Sequence, residues 1–276
     1  MLSFLFWNLK SENVETLANL VEHLSADIVI LAECPAPSGA ILRAINRTSK
    51  DYFLARSGCD KIAIYARYSG RLLEPVKREN EEVRGDDFSF RRFVLPKRGE
   101  LLLCSVHLPS KQRRERIDQI DYAVNFADLI ADVETIVGHQ RTVLVGDLNM
   151  NPYEDGIVMA SGLHAVPTRR IACKEVRTVK FPSGTYFYNP MWSHFGEKLQ
   201  GHAGSYFLES PKSRADHWNI YDQVLVRPEL LPYFRDEDVQ IIWHDPIGDR
   251  SLLGPDGVPN REEFSDHLPV AFKINL

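Results

Sequence analysis

The sequence predicts a mixed α/β fold in which parallel and antiparallel strands lie under helices, in one domain spanning residues 1–276. Three observations predict it. Four apolar runs each end on a polar or ionisable residue: FLFWN on Asn8, IVILAE on Glu33, LLLCSVH on His107 and VLVGD on Asp147. The opening reads strand, helix, strand, which implies parallel pairing. The stretch from residue 52 to 106 holds several short strand-like segments with short connections, as a meander does.

The elements follow in order. Strand 2–8 leads into a helix from Ser11 to about Leu24, with Val14, Leu17, Leu20, Val21 and Leu24 at helical spacing and Ser11 as its cap. Strand 27–32 and a helix over Ser38 to Asn46 come next. Segments 52–55, 61–67, 88–94 and 101–106 read as strands. A long helix fits Lys111 to Val137, with Ile117, Ile120, Val124, Ala127, Ile130 and Val133 on one stripe. Strand 142–146 is followed by a loop-rich, aromatic region, 151–215. Strands 218–226, 239–243 and 269–274 close the chain. There is no internal repeat, low-complexity tract or linker.

The stretch VLVGDLNMNP carries the chemistry. Gly146 lets something approach the backbone closely. Asp147 and Asn149, two apart, share one face if the strand conformation persists. A carboxylate beside a neutral amide can position a water next to a phosphate without adding a second negative charge. If the four apolar runs are neighbouring strands, their ends meet at one sheet edge, where α/β folds place ligand sites. SDHLPVAF adds Asp266 and His267. Asp222 sits inside the strand-like WNIYDQVLV, where an unpaired carboxylate is costly, and a histidine is its natural partner. Taken singly, each polar strand end is most simply a turn or cap residue. Together they point to a metal-assisted hydrolase.

Length and composition set bounds. With 276 residues, 44% of them hydrophobic, the chain can bury a substantial core. No apolar run is long enough to span a bilayer, and the N-terminus does not read as a secretory signal. Cysteines 34, 59, 104 and 173 lack paired metal spacing and read as reduced thiols of a cytosolic protein. Net charge is −5, which argues against a polyanionic substrate. Between Arg84 and Arg116, however, nine basic residues face four acidic ones, a local +5 that brackets His107. Arg91, Arg92, Lys97, Arg98, Lys111, Arg113, Arg114 and Arg116 belong to it. The run is either a solvated face or a basic rim that steers phosphate substrates.

These residues resemble the endonuclease/exonuclease/phosphatase superfamily, which includes DNase I, exonuclease III and the inositol polyphosphate phosphatases. The resemblance rests on WN at 7–8, LAE at 31–33, VHLPS at 106–110, GDLNMNP at 146–152, YDQVLV at 221–226 and SDHLPV at 265–270. It implies a four-layer α/β sandwich, two mixed sheets face to face with helices outside. It also implies roles. Glu33 would be the principal metal ligand with Asn8 close by. Asp147 would orient or deprotonate the attacking water, or bind metal. Asn149 would donate to the phosphate, and Asp266 would hold the metal or its water. His267 would contact the phosphate or act as base, its ring held by Asp222. His107 would contact the phosphate or protonate the leaving group. The implied cofactor is Mg²⁺ or Mn²⁺, which takes few protein ligands, mainly oxygen.

Within the superfamily, inositol phosphatases typically carry an arginine after the Asn motif and Cys-Asp-Arg in the late strand. Met150-Asn151-Pro152 and Tyr221-Asp222-Gln223 stand here instead, which tilts the resemblance toward nucleases. Neutral sphingomyelinase relatives are secreted or membrane-tethered, and neither feature is visible. Residues 181–218 hold Phe181, Tyr186, Phe187, Tyr188, Trp192, His194, Phe195, Tyr206, Phe207 and Trp218. They either stack bases of a single strand or fill a satellite core. Arg92, Tyr188, Trp192 and Trp218 are the candidate substrate contacts, with Tyr188 and Trp192 expected to be exposed. Asp60 is a candidate partner for His107, and the GPDGVPN turn at 254–260 is either a flap or an ordinary loop.

Three readings of function stand at this point. The first is a metal-dependent phosphodiesterase acting on nucleic acid, with no membrane and no obligate protein partner. The second is a phosphatase or phosphodiesterase for a small metabolite or lipid headgroup. The third is a catalytically silent binding module.

Overall fold

The computed structural model describes all residues except 48–50, 56–58, 69–71, 96–98, 111–115, 175, 179–182, 198–201 and 211–214. Two large mixed sheets face each other. The first is built from β1 (Leu2–Asn8), β2 (Ile28–Ala32), β3 (Phe53–Ala55), β4 (Ile62–Ala66), and two late strands. The second contains β5 (Leu73–Pro75), β6 (Phe88–Leu95), β7 (Gly99–His107), β8 (Thr142–Asp147), β9 (Ala165–Val166), β10 (Phe187–Tyr188) and β11 (Asp222–Val226). The late strands of the first sheet are β12 (Gln240–Ile241) and β13 (Val270–Ile274). The strand orders are β12-β13-β1-β2-β4-β3 and β9-β10-β11-β8-β7-β6-β5. Helices α1 (Val14–Leu24) and α2 (Ser38–Ile45) pack with the first sheet, and α3 (Arg116–Val137) covers the second. The layers are those the resemblance implies.

Alternation along the strands builds these layers. Leu101, Leu103, Val143, Val145, Val224 and Val226 point into the core shared by the sheets. Leu102, Cys104, Val106, Leu144 and Leu225, one residue out of phase, pack against Ala123, Phe126, Ile130 and Val133 of α3. β1 and β2 pair in parallel, as the strand–helix–strand opening predicts, and so do β7 and β8. The parallel register sets His107 beside Asp147, and the antiparallel register of β8 and β11 sets Asp147 beside Asp222.

Gly146 owes its place to backbone crowding. Its φ is +152°, and a Cβ built there would lie 1.9 Å from the carbonyl oxygen of Val106 on β7. The close approach foreseen at this glycine is therefore that of the neighbouring strand. Gly146→Ala must push β7 from β8 one residue before Asp147. It is expected to cost about 3 kcal/mol, read as a lowered urea midpoint at unchanged slope.

Several boundaries differ from expectation. Asn13, not Ser11, caps α1, its side chain accepting from the Thr16 amide. The start of the long helix at Lys111 lies outside the described residues. Its buried stripe is Gln119, Ala123, Phe126, Ile130 and Val133, and Ile117 faces solvent. Polar residues rotate the helix away from the apolar pattern. Gln119 Nε2 donates to the carbonyls of Pro109 and Asn149, at 3.3 and 3.2 Å. Buried Glu134 accepts from Arg227 and Thr142. The segment 218–226 splits: Trp218–Asn219 pairs with Tyr206–Phe207, and only Asp222–Val226 joins the large sheet. None of the four cysteines forms a disulfide. Among the described residues no helix is long and apolar enough to cross a membrane.

Candidate active site

The strand ends converge as the sequence predicts. Asn8 closes β1, Glu33 follows β2, His107 closes β7, Asp147 closes β8 and Asp222 opens β11. The segment after β1 is tied to the C-terminal motif. The Trp7 indole donates to the His267 carbonyl at 2.9 Å, and Ser265 Oγ donates to the Asn8 carbonyl at 2.5 Å. This brings Asp266 and His267 to the same edge. A cleft of about 570 Å³ opens there, lined among others by Lys10, Glu33, His107, Asp147, Asn149 and His267.

Asp147 is the hub. It is 2% exposed. Its Oδ2 accepts from Asn8 Nδ2 at 3.0 Å, and its Oδ1 accepts from the Asn149 amide at 2.8 Å. His107 Nε2 lies 3.6 Å from Asp147 Oδ2 and 3.7 Å from Glu33 Oε1. His267 Nε2 lies 3.8 Å from Asp147 Oδ2. Asn149 adopts φ +49° and Glu33 φ +50°. Left-handed backbone costs a non-glycine residue roughly 1–3 kcal/mol. Two such residues in one cleft mark a geometry held by its surroundings. Asn149 Nδ2 donates one proton to the Leu108 carbonyl at 2.8 Å, which aims its amide and leaves the second proton for a ligand.

Asp222 holds His267 as expected. Its oxygens lie 3.0 and 2.9 Å from His267 Nδ1, and both residues are buried. Ser205 Oγ accepts from the Asp222 amide at 3.2 Å, and the Tyr206 ring packs 4.5 Å from the imidazole. Burial works against the charged ring, but Asp222 first, then Asp147 and Asp266, outweigh it and push the His267 pKa up to about 9. Burial also raises the Asp222 carboxyl, while His267 opposes that rise. The imidazolium and carboxylate therefore form the neutral-pH pair, with Nε2–H directed at the cleft.

The donor set suits a hard divalent cation. Buried Asn8 Oδ1 has no hydrogen-bond partner among the described residues. Asn8 contacts the Asp147 carboxylate through Nδ2, and Lys10, two residues on, joins the carboxylates of Glu33 and Asp266, so the neighbouring donors are oxygens. Asp147, Asp222 and His267 also offer atoms within 4.8 Å of one another. Asp222, however, commits both oxygens to His267, so the oxygen-rich side by Asn8 and Glu33 is the better metal position.

Other expected contacts do not join the site. Arg92 is held by Glu100 through two hydrogen bonds of 2.7 and 2.8 Å. It pairs in register with Leu102, five residues before His107, roughly 17 Å along the strand from the site edge. Tyr188 is buried rather than exposed: its hydroxyl donates to Asp236, Arg169 covers its ring, and burial pushes its pKa up to about 12. Trp192 is half-buried, edge-on to Tyr153, and Trp218 lies edge-on to Phe207. The satellite-core reading therefore holds for Tyr188 and Trp218. Tyr206 and Tyr221, stacked at 5.1 Å, line the cleft instead. Of the basic run, the described members Arg91, Arg92 and Arg116 are paired, with Glu82, Glu100 and Asp155 respectively. Lys97, Arg98, Lys111, Arg113 and Arg114 lie outside the described residues, as does Phe181. Asp60 precedes β4 in the other sheet, whereas His107 faces Glu33 and Asp147.

Sequence reasoning missed Lys10. Its Nζ lies 3.4 Å from Glu33 Oε2 and 3.1 Å from Asp266 Oδ1. Burial opposes the ammonium, yet Asp266 and then Glu33 hold its pKa above the ordinary lysine value. It also missed the lock on the Asn149 loop. Asn151 donates to Asn219 Oδ1 and accepts from the Ile220 amide, while Gln223 Nε2 donates to the Met150 and Ile220 carbonyls. The signal was present: Asn151 and Gln223 stand where a phosphatase pattern differs.

The family model for the endonuclease/exonuclease/phosphatase family matches residues 5–267. The chain belongs to this family. The family is one of divalent-metal-dependent hydrolases, and the chain is a hydrolase with a cluster of possible metal ligands at its cleft. Solved structures share its fold. An AP endonuclease from Archaeoglobus fulgidus aligns at 13% identity, covering 100% of both chains, with a TM-score of 0.56. A variant of the 3′ phosphatase NExo from Neisseria, bound to product DNA hairpin, aligns at 13% over 100% of both chains with a TM-score of 0.57. D. rerio TDP2, complexed with single strand DNA product, aligns at 13%, covering 100% of this chain and 99% of that one, with a TM-score of 0.56. A search of the curated proteins finds no match.

Proposed function

We propose that the chain is a divalent-metal-dependent phosphodiesterase that hydrolyses phosphodiester bonds in nucleic acid. The observation that carries this reading is the convergence on Asp147. One buried carboxylate touches Asn8 and Asn149 and lies within 3.8 Å of both His107 and His267. Family membership supplies the reaction class. The neighbours that act on or hold DNA support the substrate class, as do the two stacked tyrosines on the cleft wall, which suit a base or sugar face.

The chain's own groups divide the work. Asp147 accepts a proton from the water it orients toward phosphorus. His267, kept charged by Asp222, donates from Nε2 to a non-bridging oxygen. Asn149 donates its second amide proton to the same phosphate. His107 offers Nε2 from the opposite side. Glu33, Asn8 and Asp147 would hold Mg²⁺ or Mn²⁺, with Asp266 beside them. When bound, the ion would neutralise phosphate charge and stabilise the leaving oxygen.

A second reading has an observation of its own. The cavity beside the cleft is lined by Glu209, Asp256, Glu262 and Asp266 against Arg261, which itself pairs with Glu209. Such a wall repels a long polyanion and favours a small phosphoester or a terminal phosphate. A panel of single- and double-stranded DNA, RNA, 3′-phosphorylated ends and soluble phosphoesters, each with Mg²⁺ and with Mn²⁺, separates the two. Internal cleavage that stops in chelator is the expected result. Phosphate release with intact oligonucleotides replaces the first reading by the second.

A further inference from the structure

We propose that Lys10 is the centre's built-in second cation, bridging Glu33 to Asp266 and restricting the site to a single divalent ion. The inference rests on the metal reading above and adds a stoichiometry to it.

Chain geometry places Lys10 here. The Leu9 amide still donates to the Ala32 carbonyl, so pairing runs one residue past the end of β1. Residues two apart on an extended strand share a face, so Lys10 lines the cleft on the side where Asn8, buried, meets Asp147, while Leu9 is buried between them. The ammonium sits 3.4 Å from Glu33 Oε2, and 3.1 and 3.3 Å from the two oxygens of Asp266. An ion placed between Glu33 and Asp266 would need these same oxygens. In two-metal sites the ions lie about 3.5–4 Å apart and share such carboxylates.

Charge agrees with position. Glu33, Asp147 and Asp266 are three carboxylates, the Asp222–His267 pair is internally balanced, and Lys10 supplies one positive charge. The net charge of −2 is balanced by one divalent cation at Asn8, Glu33 and Asp147. A second would leave the cleft strongly positive and displace an ammonium that already has two carboxylate partners.

The test is titration of Mn²⁺ into metal-free protein by calorimetry, with the spectrum of bound Mn²⁺ read by electron paramagnetic resonance. The wild type is expected to bind one ion with the spectrum of an isolated centre, and Lys10→Arg is expected to do the same. Lys10→Met is expected to bind two, with the broadening of a coupled pair. Lys10→Gln, of similar reach and no charge, stands in if the methionine variant fails to fold. Two ions in the wild type overturn the proposal. So does single-ion binding in the neutral variants, whether unchanged or merely tighter, since Lys10 would then be no second cation. Absence of specific binding in every protein overturns the metal reading itself, and this inference with it.

Discussion

Asp147→Asn is expected to lower the hydrolytic rate by roughly 10³-fold or more while leaving the fold intact. The substitution keeps shape and removes charge from the one residue that faces Asn8, Asn149, His107 and His267 together. The new carboxamide still accepts from the Asn149 backbone through its oxygen. Its NH₂ then faces Asn8, whose amide can rotate to offer Oδ1, the buried oxygen that otherwise lacks a partner among the described residues. Removing a buried carboxylate beside Asp222 also relieves like-charge repulsion. In chelator the variant is therefore expected to melt at or above the wild type, the stability–activity trade of a site built for chemistry. Cleavage assays and melting curves on the same preparations check both halves. Near-wild-type turnover with Mg²⁺ would remove Asp147 from the centre of the mechanism.

The convergence at this edge was legible in the sequence because each strand advertises itself by an apolar run and each run stops on its functional residue. Asn8, Glu33, His107 and Asp147 were found in this way, and the cost of burying Asp222 unpaired pointed to a histidine partner from sequence alone. The sheet order was not legible. Short strands such as Phe187–Tyr188 are two residues long, and no periodicity identifies so brief a segment. The α3 stripe misled for a physical reason. Gln119 and Glu134 are buried by their hydrogen bonds, which a hydrophobic pattern does not register.

Substrate contacts were read least well, since composition does not say which way a side chain points. The basic run around His107 read as either a solvated face or a rim, and Arg91 and Arg92, on one strand, each find a carboxylate nearby. Tyr188 looked like a stacking platform, but it lies on β10 opposite Val226, at the end of the sheet away from Asp222. Lys10 was passed over because a lysine after a strand is ordinarily a solvated terminus. Only the meeting of Glu33 and Asp266, 233 residues apart in sequence, gives it a role.

Asp222→Asn is expected to slow hydrolysis by about 10²-fold or more and to flatten the pH dependence of stability in metal-free protein. The ring of His267 is fully buried, and the field of the Asp222 carboxylate is the first force opposing that burial. Its pKa stands at about 9 in the folded chain against an ordinary 6.5. The folded state thus holds the proton more tightly than the unfolded state. That contribution is complete below about pH 6.5 and drains away as pH rises through about 9. It amounts to something on the order of 3 kcal/mol. Once the ring is neutral, the buried Asp222 charge is left without its counterion, which compounds the loss. A carboxamide at 222 still accepts from Nδ1 but offers no charge, so only Asp147 and Asp266 still oppose burial and the ring's pKa falls toward the ordinary value. Urea midpoints across pH 6.5 to 9 should therefore decline in the wild type more steeply than in the variant. Histidine NMR titrations should show one resonance moving from the alkaline range into the acidic. Parallel midpoint curves for the two proteins would mean that Asp222 merely orients the ring. His267 would then meet the phosphate as a neutral donor, and the pair would work by its tautomer alone.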